Sequence, residues 1–135
     1  MMYNNPRALP YDKIYIVDTE FYGNEGDIKT PVCLVVRELI SGVVERYWRD
    51  ELVEMEAAPF DLTSNALFVA YYASAEFSTF LALGWELPEH VFDCFAEFRC
   101  QTNGTDLAAG KSLLGALQYF GIQAGEMSFK ANMRD

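Results

Sequence analysis

Short hydrophobic runs alternate with polar segments along the first half of the chain. The runs Lys13 to Val17, Val32 to Val36 and Val43 to Trp48 predict three strands. Ser41-Gly42 is typical of a tight turn, so the second and third strands should pair antiparallel. Residues 50–64 are acidic and polar, and we expect a surface excursion there.

In the second half of the chain, short apolar strands alternate with segments of helical spacing. Asp93 stands where it can cap the helix that follows it. The sequence therefore predicts an α/β fold with a mixed sheet of about five strands, an antiparallel hairpin plus parallel strands, and helices on both faces. The predicted strands are Ala66 to Ala70 and Val91 to Asp93. The predicted helices run from Ser74 or Ala73 to about Leu83, from Cys94 to Cys100 and from Ser112 to Phe120.

Length and composition describe one folded domain. The 135 residues are enough for a single core, and 51% hydrophobic residues exclude disorder. We expect residues 1–12 to form an N-terminal extension and residues 13–135 to form the domain. No apolar run is long enough to cross a membrane, and the polar N-terminus does not resemble a signal peptide. Three cysteines without metal-ligand spacing indicate free thiols, so we expect a cytoplasmic protein.

The formal net charge of −10 argues against an ordinary nucleic-acid binder. Such proteins usually carry a basic surface, because phosphate contacts supply much of their affinity. The ten basic residues are scattered along this chain. Either nucleic acid is not the substrate, or metal ions supply positive charge and the missing basic surface lies elsewhere.

Asp18-Thr19-Glu20 directly follows the first apolar run. Residues two apart in a strand project from the same face, so both carboxylates would point the same way at the end of a buried strand. Charge there is costly unless it is compensated, and oxygen ligands suit magnesium or manganese. The pattern predicts half of a metal site, and a solvated strand end is the alternative.

Glu76 supplies a third carboxylate in the first turn of the predicted helix that follows the Ala66 to Ala70 strand. The helix dipole favours an acid there, and the side chain can point back over the strand ends. Helix capping alone is the alternative explanation.

Together these segments resemble the DnaQ-like (DEDD) 3′–5′ exonucleases, which have an RNase H-like fold. Val17-Asp18-Thr19-Glu20-Phe21 matches their first motif, and Val69 to Phe77 occupies the place of the second. Val91-Phe92-Asp93 resembles the strand and acid that come next, and Leu113 to Ile122 resembles a later helix and its F-G-I segment. The greatest similarity is to the proofreading domain of DNA-polymerase-I-type proteins.

The chain departs from the family pattern at three places. Tyr71-Tyr72 stands where His-Asn is common, and Glu76 stands where Asp is common. The late Tyr-x-x-x-Asp or His-x-x-x-Asp motif is absent, and Asp135 does not replace it. We therefore expect a domain that is incomplete at its C-terminus and has weak or no activity alone.

The resemblance implies two-metal hydrolysis at single-stranded or frayed DNA 3′ ends. It implies that Asp18, Glu20 and Glu76 are catalytic and bind two Mg²⁺ or Mn²⁺ ions. The partners that it implies are DNA 3′ ends and a polymerase module, with no membrane and an open oligomeric state. Two alternatives stay open: a catalytically dead structural or interaction module, and an exoribonuclease. The further residues that it implies are Thr19, Phe21 and Tyr72 at the substrate, and Asp93 as a support for the ligands rather than a ligand.

Overall fold

The structure, a computed structural model, describes residues 5–123. The chain divides into two compact units, Met1–Cys94 and Phe95–Asp135. A short 3₁₀ helix, Pro6–Ala8, precedes the first strand. The strands are β1 (Lys13–Tyr22), β2 (Thr30–Glu38), β3 (Val44–Trp48), β4 (Ala66–Ala70) and β5 (Val91–Asp93), and the helices are α1 (Arg49–Val53), α2 (Ala73–Leu83), α3 (Cys94–Gln101) and α4 (Leu113–Tyr119).

The five strands form one mixed sheet in the order β3-β2-β1-β4-β5. β1 pairs antiparallel with β2 and β2 with β3, whereas β4 runs parallel to both β1 and β5. This confirms the predicted α/β class and the mixed sheet, and it is consistent with an RNase H-like fold. Helices on both faces of the sheet stay a prediction, because α3 and α4 belong to the second unit.

The core of the first unit lies between one face of the sheet and the helices α1 and α2. Val17, Leu34 and Phe68 project from this face, as the two-residue period of strands requires. Leu52 of α1 and Phe80 of α2 are fully buried against them. Aromatic rings fill the centre, with Phe80 in edge contact with the rings of Phe68 and Trp85.

The expectation of a surface excursion over residues 50–64 is wrong in part. The segment begins inside α1, and its apolar side chains pack against the core. The indole Nε1 of Trp85 donates to the carbonyl of Met55 at 3.0 Å and ties the segment to the end of α2. The acidic residues dominate the composition, but the apolar ones are spaced so that they reach one side. These are Leu52, Met55, Ala58, Phe60 and Leu62.

β1 is longer than the hydrophobic run predicts. It continues to Tyr22 because β2 pairs with it up to Thr30. β4 stops earlier: its last partner on β1 is Ile16, which pairs with Val69. The residues after Val17 therefore lie beyond the last residue of β4, Ala70, in the carboxyl-terminal half of β1. This is the place where open α/β sheets bind ligands.

The second unit contains α3 and α4. Phe98 is buried there and contacts the rings of Tyr119 and Phe120, with centroids 5.5 and 5.9 Å away. Gly115 permits close packing, since a Cβ atom there would lie 2.5 Å from the carbonyl oxygen of Gly110. Asp135, which does not replace the late motif, lies outside the described residues. Within residues 5–123, no helix is both long enough and apolar enough to span a membrane.

Candidate functional site

The acidic pair lies on the part of β1 that extends past β4. Asp18 and Glu20 are exposed and project from the face of the sheet opposite the α1–α2 core. Thr19 points the other way, into the core, and is only 6% exposed. The Oγ1 atoms of Thr19 and Thr79 lie 3.2 Å apart and share a hydrogen bond. Any role of Thr19 in substrate binding would therefore fall to its backbone.

Glu76 reaches β1 from the first turn of α2. Its Oε1 accepts the backbone N–H of Thr19 at 3.4 Å, at a point that β4 no longer covers. The side chain is 3% exposed, and its Oε2 has no hydrogen-bond partner among residues 5–123. A buried carboxylate oxygen without a partner is costly, so this atom requires a physical explanation.

The pKa of Glu76 is raised to about 7. Burial is the largest cause, and the charges of Asp18 and Asp93 add to it, while the hydrogen bond from Thr19 opposes it. These effects show that the carboxyl groups of Asp18 and Asp93 are electrostatic neighbours of Glu76. The neutral form of Glu76 is therefore favoured at pH values where an ordinary glutamate is ionised.

Asp93 holds the start of α2. Its Oδ1 accepts the N–H of Tyr72 at 3.0 Å, and its Oδ2 accepts the N–H of Ala73 at 3.1 Å. We expected this carboxylate to cap the helix that follows it, but these two hydrogen bonds serve the helix before it. They bring the ends of β4 and β5 together and keep Asp93 beside Glu76.

Tyr72 adopts the left-handed backbone conformation, with φ 72°, and is the one non-glycine residue of positive φ in the described part of the chain. Its side chain is 51% exposed at the carboxyl end of β4. Phe21, the other aromatic residue predicted to contact substrate, is half-buried beside a register irregularity after Glu20. Strained residues of this kind are common at binding sites. The contact of Tyr72 with substrate stays a prediction.

Cys33 is a neighbour of the acidic pair that the sequence did not reveal. It lies directly opposite Glu20 on β2. Its pKa is raised, by burial first and then by the charges of Glu20 and Asp18. This proximity depends on the register between β1 and β2, and the sequence does not determine which residues of the two strands lie opposite each other.

The candidate site matches a divalent cation in donor chemistry. Carboxylate oxygens are the ligands that Mg²⁺ and Mn²⁺ prefer. The Oε2 atom of Glu76 is buried without a hydrogen-bond partner among residues 5–123, and a bound cation would compensate its charge. Among residues 5–123 no group of three or more His, Cys, Asp or Glu side chains is arranged to hold a metal ion. Magnesium is commonly held by one or two carboxylates together with substrate phosphates, so a complete protein cage is not required.

Comparison with known proteins does not assign the chain to a family. No protein-family model matches the chain, and no curated protein matches it either. The resemblance to DnaQ-like exonucleases therefore rests on the motif residues alone.

Proposed function

We propose that this chain is a divalent-metal-dependent 3′–5′ exonuclease domain that removes nucleotides from single-stranded or frayed DNA 3′ ends. The observation that carries the proposal is Glu76. It is an almost completely buried acid with one unpartnered oxygen, next to Asp18 and at the carboxyl ends of β1 and β4. Chance surface acids are solvated and do not carry this cost.

Each acid has a distinct part in this proposal. Asp18 and Glu20 are exposed residues on one face of β1, where a phosphodiester can approach. Glu76 contributes its unpartnered Oε2, and it would be ionised when positive charge is bound near it. Asp93 positions α2, and with it Glu76, through its hydrogen bonds to Tyr72 and Ala73. Bound Mg²⁺ or Mn²⁺ would supply Lewis-acid activation of the phosphodiester and of a water molecule.

The test is cleavage of a 5′-labelled single-stranded DNA with Mn²⁺. Because the late motif of the resembling family is absent from the sequence, we expect slow cleavage, with products shortened one nucleotide at a time from the 3′ end, and we expect Asp18→Asn to abolish them. Asp12→Asn is a matched control, because Asp12 is also exposed but precedes β1. Equal products from wild type and Asp18→Asn would refute the assignment. A parallel reaction with an RNA of the same length distinguishes the exoribonuclease alternative.

A catalytically dead RNase H-like module is the second candidate. The pKa of Glu76 favours it in one respect, because an acid with a pKa of about 7 can stay protonated and neutral in a core. Calorimetric titration with Mn²⁺ separates the two candidates. Heat of binding that Asp18→Asn removes supports the exonuclease, whereas no binding by a folded chain supports the dead module.

A further inference from the structure

A row of directly opposed residues runs across β1, β2 and β3, from the acidic pair to the edge of the sheet. Asp18 lies opposite Val35 of β2, and Val35 lies opposite Arg46 of β3. Directly opposed residues project from the same face of a sheet. Since adjacent strands are about 4.8 Å apart, the backbone positions of Asp18 and Arg46 lie about 10 Å apart. Arg46 is exposed at the end of this row.

A second row runs beside the first. Glu20 lies opposite Cys33, and Cys33 lies opposite Trp48. Trp48 is 63% exposed, although tryptophan is usually well covered in folded proteins. Thus an aromatic ring and a guanidinium project from neighbouring positions of β3, on the face that carries the acidic pair.

Arg37 lies on the same face, on β2, between β1 and β3. It lies opposite Ile16, which makes it a diagonal neighbour of Asp18 on the next strand. Arg37 is exposed, and within residues 5–123 the side chains of Arg37 and Arg46 have no hydrogen bond or ion pair. Both guanidinium groups are therefore available to an anion.

The positive charge continues to the start of α1. The guanidinium Nη1 of Arg49 lies 3.3 Å from the hydroxyl of Tyr22, the last residue of β1. Three of the ten basic residues of this acidic chain thus fall on β2, β3 and the helix start that follows β3. The sheet brings together charges that are scattered along the sequence.

We propose that this outer face, formed by Arg37, Arg46 and Trp48, binds the backbone and bases of a single-stranded nucleic acid that leads to the acidic pair. Arginine matches phosphate with a planar fork of donors, and it is the usual contact to nucleic-acid backbones. An exposed tryptophan stacks on an unpaired base of any sequence. The direction of the strand, with its 3′ end at Asp18 and Glu20, rests on the proposed function.

Binding of the full chain to fluorescein-labelled dT16 and rU16, in EDTA to prevent cleavage, tests this proposal. We expect Arg46→Ala and Arg37→Ala each to weaken binding about five-fold and to reduce the slope of log affinity against log salt by about 0.7. Trp48→Ala should weaken it about ten-fold. Arg7→Ala is the matched control, an exposed arginine of the 3₁₀ helix, and should change affinity less than two-fold.

Trp48 also provides a direct signal. In a Trp85→Phe variant, Trp48 is the only tryptophan, and stacking on a base should quench its fluorescence when the oligonucleotide binds. Both oligonucleotides share the chemistry that the face recognises, and their relative affinities show whether DNA or RNA fits it better. Absence of quenching, with oligonucleotide bound, would overturn the assignment of Trp48.

The outcomes separate this proposal from the exonuclease proposal. Weakened binding in the Arg46 and Arg37 variants, with neither cleavage nor Mn²⁺ binding by wild type, supports the binding face and refutes the catalytic assignment. Cleavage with equal affinities for wild type, Arg46→Ala and Arg7→Ala overturns the binding face alone. Polyglutamate that competes as well as dT16 at equal charge would also overturn it, because general attraction would then explain the binding.

Discussion

Glu76 accepts the backbone N–H of Thr19 at 3.4 Å, just where β1 extends beyond the end of β4. If β4 were longer, the amide of Thr19 would face it. Because β4 has ended, this amide donates to the carboxylate of Glu76 instead. The hydrogen bond uses Oε1 and leaves Oε2 buried without a partner in the described part of the chain. The same geometry that brings Glu76 to the acidic pair also makes its ionisation costly.

Glu76 should make stability fall with rising pH. Its folded-state pKa of about 7 lies above the ordinary value of 4.5, so the folded state binds the proton more tightly. The free energy of unfolding should therefore decrease by about 3 kcal/mol between pH 4.5 and pH 7 through this group. Glu76→Gln should remove that decrease and be the more stable protein at pH 8 without divalent ions. Urea unfolding at pH 4.5 and pH 8 measures both effects.

The matched control for this prediction is Glu86→Gln, an exposed acid that should leave the pH profile unchanged. Mg²⁺ adds a second measurement at pH 8. It should raise the unfolding midpoint of the wild type by mass action and have little effect on Glu76→Gln. Identical pH profiles for wild type and Glu76→Gln would contradict the burial of an ionisable group at this site.

Glu38 should have the opposite pH dependence. Burial disfavours its charge, but hydrogen bonds from the amides of Ile40, Ile14 and Ser41 outweigh burial and lower its pKa to about 2. The stabilisation is therefore present above pH 4.5 and is lost as the pH falls towards 2. We expect Glu38→Gln to lower the free energy of unfolding by about 2–3 kcal/mol at pH 7.

The loss in Glu38→Gln should shrink as denaturation is repeated between pH 4.5 and pH 2. Glu25→Gln, in the exposed loop between β1 and β2, should behave like wild type throughout. A constant difference between Glu38→Gln and wild type at all pH values would show that the carboxylate charge is not the cause.

Leu52 should contribute to stability as a core residue does, although its neighbours in sequence are acidic. It is fully buried in α1 between the sheet and the segment that follows. Leu52→Ala should lower the free energy of unfolding by about 2–5 kcal/mol, because the cavity would be only partly refilled. Val53→Ala, one residue further on and 55% exposed, should stay within about 0.5 kcal/mol of wild type. Equal losses in the two variants would place the segment outside the core.

The elements with a regular pattern were predictable from the sequence. β4 occurs at the predicted residues, and α2 ends at Gly84, whose φ of 73° suits a residue without a side chain. α1 was not predictable, because its few apolar residues are outnumbered by acidic ones. Which residues join the core depends on the side of the helix or segment on which they lie, and composition alone does not reveal that side.

The candidate site was predictable only in its parts. The two-residue spacing predicted that Asp18 and Glu20 share a face, and the structure has them so. The burial of Glu76 depends on β4 ending before β1, a length difference that no local pattern specifies. The alignment of Arg46 with Asp18 depends likewise on the register of two strand pairs. Such relationships arise from tertiary pairing and are absent from any single segment.

Tyr72 should link stability to binding. A left-handed backbone costs a tyrosine about 1–2 kcal/mol, whereas asparagine tolerates it. Asp93 holds this conformation through the amides of Tyr72 and Ala73. We therefore expect Tyr72→Asn to raise the free energy of unfolding by about 1 kcal/mol and yet to weaken binding of dT16, since the exposed ring is lost. Tyr72→Phe keeps both the strain and the ring, and should bind dT16 as wild type does in fluorescence anisotropy. If Tyr72→Asn gained stability with unchanged affinity, the ring would have no part in binding, and a less stable Tyr72→Asn would mean that the native ring contacts outweigh the strain.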